Sequence, residues 1–217
     1  MPSVSLPGKV AVSTWADLSN RTWPKHTADL PTWPQPIPAD QGLAYEKLSG
    51  SGYATTSGIY SGGGDYTGPL QEKIMTGKVT EADLELLKVE DFKNVGQFQI
   101  VAKTVQEGLK TVAFLVRIKG FPPGEKFTPF ELTQHVFPVT FSYNGGDRKL
   151  PPTSRKLLSM KLAGGFYEEI YAVQWNLDST AEPIRDFAIR WAVYPHGLTT
   201  GLRVEQSDAS APPLEKD

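Results

Sequence analysis

The chain has 217 residues, a formal net charge of −2, an apolar fraction of 39% and no cysteine. The absence of cysteine excludes thiol catalysis, disulfide frameworks and cysteine-ligated metal centres, and the balanced charge gives no argument from bulk basicity. No apolar run reaches the roughly 18 residues of a membrane-spanning helix, and the first residues lack the apolar core of a secretory signal peptide. We therefore expect a protein that is not secreted by a signal peptide and has no membrane-spanning segment.

Residues 1–66 form the first predicted unit, an extended arm rich in tryptophan, proline and glycine. Trp15, Trp23 and Trp33 recur in it, and the last two precede prolines, which disfavour helix at the preceding residue. Tyr60 stands in a following tract of glycine and serine. A linker and an arm that packs across a domain or a neighbouring subunit both fit this composition. Because exposed tryptophan is costly, the second interpretation makes these tryptophans and Tyr60 candidate subunit contacts.

A short helix is predicted over roughly 80–92. Thr80 can cap its first turn, and Asp83 stands near the third helical position, as in a capping box. Acidic residues in the first turn are favourable because they face the positive end of the helix dipole. Asn94 and Gly96 supply the stop signal.

From Gly96 onward, apolar residues alternate with a period of two, which is typical of half-buried strands. The predicted strands are 97–105, 111–119, 137–143, 157–162, 167–178, 187–193 and a short one at Leu202 and Val204. In the fourth of these, Leu158, Met160 and Leu162 are expected on one face. Glu107-Gly108 is predicted to form a hairpin turn between the first two strands. Strands near Val10–Ser13 or Leu43–Tyr45 are candidates to complete the set.

Regularly spaced strands with turn signals between them predict an all-β fold, an antiparallel β-sandwich or jelly roll with a short helix. The predicted units are the arm at 1–66, a β-sandwich domain at 67–206 and a flexible C-terminal tail at 207–217. The loop Gly120–Gln134 is long and proline-rich, a length that usually carries function or contacts.

The sequence shows no catalytic or metal signature, so we predict no enzyme activity, no cofactor and no metal. His26, His135 and His196 lack metal-ligand spacing, and no nucleophile elbow or phosphate-binding loop occurs. Glu168 and Glu169 are expected on opposite faces of a strand, so they cannot form one acid–base pair. A hydrolase on a sandwich fold would need a cleft that holds a carboxylate pair or a serine and a histidine in contact.

Basic residues cluster between positions 147 and 161, opposed by one acid. The cluster consists of Arg148, Lys149, Arg155, Lys156 and Lys161. One interpretation is a patch that binds nucleic-acid phosphates through salt-sensitive, sequence-independent contacts. The alternatives are a loop kept soluble by its charge and an edge strand that lysines protect from unwanted pairing.

The strand runs above, preceded by the arm and the short helix, resemble the jelly-roll coat proteins of small positive-strand RNA viruses. The resemblance covers most of the chain and is architectural, without a shared motif. It implies a viral capsid subunit that assembles with itself and packages single-stranded RNA, in a virion or the host cytoplasm. Many such proteins have a strongly basic arm, which this chain lacks, so RNA binding would depend on the basic cluster.

Two alternatives to a coat protein stay open. The same jelly-roll core is thought to underlie plant-virus movement proteins of the 30K type, which are the second candidate in this class. Outside it, a carbohydrate- or membrane-binding β-sandwich module would use exposed aromatic side chains as a platform, with Trp15, Trp33 or Tyr60 as candidates.

Overall fold

The computed structural model describes residues 1–19, 43–49, 53–61, 65–66, 72–73, 78, 80–86, 92–93, 96–102, 104–120, 139–146, 149–180, 182–193 and 197–215. Several positions singled out above lie outside these residues, namely Trp23, Trp33, Arg148, the three histidines and the loop after Gly120. In chain order, the strands are β1 (Val10–Trp15), β2 (Leu43–Ser49), β3 (Tyr53–Thr55), β4 (Gly58–Tyr60), β5 (Asp65–Tyr66), β6 (Phe92–Lys93), β7 (Gln97–Ala102), β8 (Thr111–Gly120), β9 (Thr140–Tyr143), β10 (Lys149–Leu150), β11 (Ser154–Ala163), β12 (Phe166–Asn176), β13 (Phe187–Ala192) and β14 (Leu198–Ser207). The helix α1 spans Glu81–Leu86.

The strands form two main antiparallel sheets and one small ribbon. Sheet A has the order β11-β12-β8-β14-β4-β3, and β1 also pairs with β14. Sheet B has the order β10-β9-β13-β7-β2, and β5 pairs with β6 in the ribbon. The predicted all-β, antiparallel two-sheet fold is confirmed, while jelly-roll connectivity stays a prediction.

The main core lies between the two sheets and follows the predicted alternation. The inward side chains of β7, β8, β12 and β13 are almost completely buried: Phe98, Ile100, Val112, Phe114, Val116, Ile118, Tyr171, Val173, Trp175, Phe187, Ile189 and Trp191. Trp191 of sheet B lies 5.4 Å from Phe114 of sheet A between ring centroids, and its Nε1 donates to Thr199 Oγ1 at 3.2 Å. Large aromatic side chains therefore supply much of the apolar area that joins the sheets.

The prediction that β7 and β8 form a hairpin at Glu107-Gly108 is wrong, although the turn itself is present. Leu109 N donates to Gln106 O at 3.1 Å, and Gly108 has a positive φ of 69°. However, β7 pairs with β2 and β13, whereas β8 pairs with β12 and β14, so this loop passes from sheet B to sheet A. A tight turn looks the same in sequence whether the strands beside it pair or separate.

The N-terminal region contributes strands to both sheets. β1 pairs with β14 in sheet A, and β2 pairs with β7 in sheet B. The two additional strands considered from the sequence are therefore both present. Within the predicted arm 1–66, the residues of β1 and β2 therefore belong to the two sheets of the sandwich.

The helix α1 is shorter than predicted, but its capping box is confirmed. Asp83 N donates to Thr80 Oγ1 at 3.3 Å, and Thr80 N donates to Asp83 Oδ2 at 2.9 Å. The predicted helix extended to about residue 92, whereas Phe92–Lys93 forms β6 and pairs with β5. Pairing with a distant strand thus overrides the local helix signal at that end.

The outer face of sheet A is apolar and is covered by both chain termini. Ala113, Leu115 and Ala172 are completely buried there. The side chains that pack against them are Met1, Val4, Leu6, Leu158 and Leu214. Both faces of β8 are therefore buried, which accounts for its nearly continuous apolar sequence.

The C-terminal segment 207–215 lies along this face, although its composition predicts a frayed tail. Thr111 Oγ1 donates to Ala209 O at 2.8 Å and accepts from Ala211 N at 3.1 Å. Gln174 Nε2 donates to Pro212 O at 2.9 Å, and Leu214 N donates to a serine hydroxyl of β11 at 2.8 Å. Polar side chains of the sheet, which composition does not reveal, supply these partners.

Candidate functional site

One end of the β11–β12 hairpin carries three exposed apolar side chains, two on its inner face and one on its outer face. The turn Gly164–Gly165 has positive φ values of 59° and 79°, which suit a two-residue hairpin turn. Met160 is 48% exposed, Leu162 60% and Phe166 44%. We call residues 160–168 the hairpin end.

A bulge in β11 decides which apolar side chains are exposed. The pairing shifts between Leu157 and Ser159. Leu157 packs against the main core, and Leu158 packs on the outer face of sheet A. Met160 and Leu162 lie beyond the bulge and are exposed. The prediction that Leu158 shares one face with Met160 and Leu162 is therefore wrong, because the extra residue interrupts the period of two.

Charged groups frame the outer face of the hairpin end. Lys161 Nζ lies 2.8 Å from Glu168 Oε1, in an ion pair whose lysine is exposed and whose glutamate is half-buried. Lys119 Nζ lies 5.8 Å from the centroid of the Phe166 ring, within the range of a cation–π contact. Surface pairs of this kind stabilise little, and Met160 and Leu162 lie on the opposite face of the hairpin, away from these charges.

Glu168 and Glu169 lie on opposite faces of β12, as predicted. Glu168 pairs with Lys161 on the outer face, whereas Glu169 is completely buried on the inner face. Burial raises the pKa of the neighbouring Tyr171 hydroxyl, and the charge of Glu169 raises it further. Tyr171 is thus held as a neutral phenol inside the sandwich.

The described members of the basic cluster are divided between sheets and faces. Lys149 lies in β10 of sheet B, whereas Arg155, Lys156 and Lys161 lie in β11 of sheet A. Arg155 is opposite Val173 on the inner face, and its desolvation on burial lowers its pKa. Lys156 is opposite Ala172 on the outer face. Since β11 is an edge strand of sheet A, the arrangement matches the edge-protection alternative, and nucleic-acid binding stays a prediction.

The predicted aromatic contacts have different surroundings. Trp15 is half-buried and packs against the main core of its own chain. Tyr60 is also half-buried, in β4, opposite Leu198 and Tyr53. Trp23 and Trp33 lie outside the described residues. A role of these aromatic residues between subunits stays a prediction.

A second surface feature is a depression of about 240 Å³ on the outer face of sheet B. We call it the trough. It spans β9, β13 and β7, and its lining includes Gln99, Ser142, Asp186 and Arg190. Sequence reasoning missed it because the side chains come from three strands that are distant in the chain. The visible signal is the polar residues that alternate with core residues in β7 and β13.

In the described residues, no group of three or more histidine, aspartate or glutamate side chains is placed to hold a metal ion. Of the helices in the described part of the chain, none is long and apolar enough to cross a membrane.

Comparison of the chain with protein-family models, with curated proteins and with solved structures finds no match.

Proposed function

We propose that this chain is a structural subunit that assembles with copies of itself through the hairpin end. The observation that carries this proposal is that Met160 and Leu162, 48% and 60% exposed, lie next to each other on one face of the hairpin end, while Phe166, 44% exposed, lies on the opposite face. The other large exposed apolar side chains of the described residues, Val12 and Leu86, lie on β1 and α1. Single exposed apolar side chains are ordinary, whereas grouped ones mark interaction surfaces.

Charge on β11 favours contact through side chains over pairing of edge strands. Lys156 and Lys161 lie on this edge strand, and a second copy paired to it would bring further lysines close. A two-fold contact between hairpin ends instead buries Met160 and Leu162 of one copy against the same residues of the other. Burial of this apolar area supplies the driving force.

The more specific proposal is a viral coat subunit. What supports it is the two-sheet antiparallel sandwich, together with strands from the N-terminal region that join both sheets. The lysines and arginine of β11 and β10 are then the candidate RNA contacts. A 30K-type movement protein is the alternative in the same class, and a monomeric binding module is the alternative outside it.

The test is size-exclusion chromatography with light scattering, 260/280 nm absorbance and negative-stain microscopy on the same fractions. We expect a mass well above the 23.8 kDa of one chain. The double variant M160S/L162S should shift to a monomer, whereas L86S should not, although Leu86 is 63% exposed.

The outcomes separate the proposals. Closed shells with excess 260 nm absorbance support a coat subunit, and oligomers without nucleic acid support self-assembly alone. A wild-type monomer at every concentration and salt tested would overturn the proposal. Oligomers that survive the double variant would overturn the role of the hairpin end.

A further inference from the structure

We infer that the trough on the outer face of sheet B binds an acidic saccharide, a sugar that carries a carboxylate, with Arg190 holding that carboxylate. The trough is separate from the hairpin end, which lies on sheet A. The inference therefore does not depend on self-assembly.

The register of three strands shapes the trough. Ser142, Ala188 and Val101 are opposite one another on β9, β13 and β7, and these small side chains form its floor. Arg190 and Gln99 stand on one side of this row, and Asp186 stands on the other. Residues 186 and 190 are four positions apart, so the backbones of the two walls are about 13 Å apart. A floor of small residues between walls of long polar ones leaves space for a ligand.

Arg190 is the positive wall of the trough. Its side chain is exposed, and its Nε donates to Gln99 Oε1 at 3.2 Å. This bond orients the guanidinium plane. In the described part of the chain, the two terminal nitrogens of Arg190 make no hydrogen bond, so they can donate side by side to one carboxylate.

Asp186 is the negative wall. Its Oδ1 accepts from Gly145 N at 3.0 Å, which ties the carboxylate to the turn after β9. Its other oxygen can accept hydrogen bonds from sugar hydroxyls. Asn144 steadies the same wall, because its Nδ2 donates to Pro183 O at 3.0 Å and its Oδ1 accepts from Arg185 N at 2.8 Å.

The separation of the two charges selects the class of ligand. Among the described residues, no ion pair joins Arg190 to Asp186. An α-amino acid holds its carboxylate and ammonium too close together to reach both walls. A uronic acid places its carboxylate on one ring carbon and two of its hydroxyls on the carbons across the ring from it. The amide of Gln99 and the hydroxyl of Ser142 add the neutral polar groups that sugars require.

The experiment is titration of the full-length protein with glucuronic acid and, in parallel, with glucose, followed by NMR chemical-shift changes. We expect glucuronic acid to bind at least about tenfold more tightly than glucose, because a charge-assisted pair adds roughly that factor. R190Q should remove this preference. R185Q is the matched control, since it keeps the backbone N that bonds to Asn144 and changes only an exposed side chain that does not line the trough, and it should bind as the wild type does.

D186N gives an independent check, because it should weaken glucuronic acid and glucose alike. Circular dichroism on each variant establishes that it is folded. Equal affinity for the two sugars, no shift with glucuronic acid at millimolar concentration, or equal weakening by R185Q and R190Q would overturn the inference.

Discussion

The outer faces of the two sheets differ in what covers them. On sheet A, Ala113, Leu115 and Ala172 are completely buried under the N- and C-terminal segments. On sheet B, Arg190 is exposed and Gln99 is half-buried beside the trough. A sheet that is apolar on both faces needs a third layer, whereas a sheet with a polar outer face leaves that face available to a ligand.

This difference originates in the strand sequences. β8 reads TVAFLVRIKG, and its first six residues are all buried. In β13, which reads FAIRWA, buried Ile189 and Trp191 flank the exposed Arg190. A continuous apolar run is typical of a strand that is buried on both faces, whereas alternation of apolar and polar residues is typical of a strand with one solvent-exposed face.

The largest expected effect tests the inner and outer faces of β13 with two adjacent residues. Trp191→Ala removes the side chain that packs on Phe98 and Phe114, and we expect it to lower the free energy of unfolding by about 3–5 kcal/mol. Arg190→Ala should change it by less than about 0.5 kcal/mol, because that side chain is exposed. Unfolding in guanidinium chloride measures the change in free energy for both variants. Equal losses of stability would contradict a buried inner face and an exposed outer face on sheet B.

The next prediction compares the two outer faces directly. Leu115→Ala should destabilise by about 2–5 kcal/mol, because it leaves a cavity beneath the termini. Val101→Ala, at the half-buried floor of the trough, should cost about 1 kcal/mol or less. The same unfolding measurement applies to both variants. A negligible cost for Leu115→Ala would show that the terminal segments do not form a packed layer.

Thr111→Val tests how the C-terminal segment is held on sheet A. The Thr111 hydroxyl makes hydrogen bonds with the backbone of Ala209 and Ala211. We therefore expect the substitution to lower the free energy of unfolding by about 1–3 kcal/mol. The amides of residues 209–215 should also exchange faster with solvent. Thr140→Val on sheet B is the matched control and should be near neutral. Unchanged amide exchange in Thr111→Val would mean that the apolar contact of Leu214 is sufficient to hold the C-terminal segment on sheet A.

The smallest effect comes from Asp83, which lies outside both sheets. Its hydrogen bond with the Lys73 side chain, and then its bonds with Thr80, lower its pKa from 3.8 to about 2. Because the folded pKa is the lower one, this contribution to stability is fully present above about pH 4 and is lost as the pH falls towards 2. Asp83→Asn should therefore destabilise at neutral pH and flatten the pH dependence in that window. Parallel acid-unfolding curves for wild type and variant would contradict this expectation.

Much of the fold is predictable because period-two alternation is local. The inward faces of β7, β8, β12 and β13 follow directly from it, as does the capping box at Thr80. The bulge after Leu157 breaks this rule, since one additional residue in β11 sends Leu158 to the outer face and leaves Met160 and Leu162 exposed. The exposed hairpin end could therefore not be read from periodicity.

The candidate sites depend on strand pairing, which is not local. The alternation in β7 and β13 marks Gln99 and Arg190 as outward residues, but only the pairing of these strands places them side by side. Likewise, the basic residues of 147–161 form one run in sequence, and the sandwich distributes its described members between two sheets. Distance along the chain is thus a poor guide to shared surface in an antiparallel sandwich.

By itself, the amino-acid sequence determined the strand content, the inward aromatic faces and the helix start, because each depends on neighbours within a few residues. The tertiary structure decided that β7 and β8 join different sheets, that β11 is an edge and that the termini cover sheet A. These features depend on which distant surfaces bury each other. That choice is made by the total apolar area removed from water, to which the whole chain contributes.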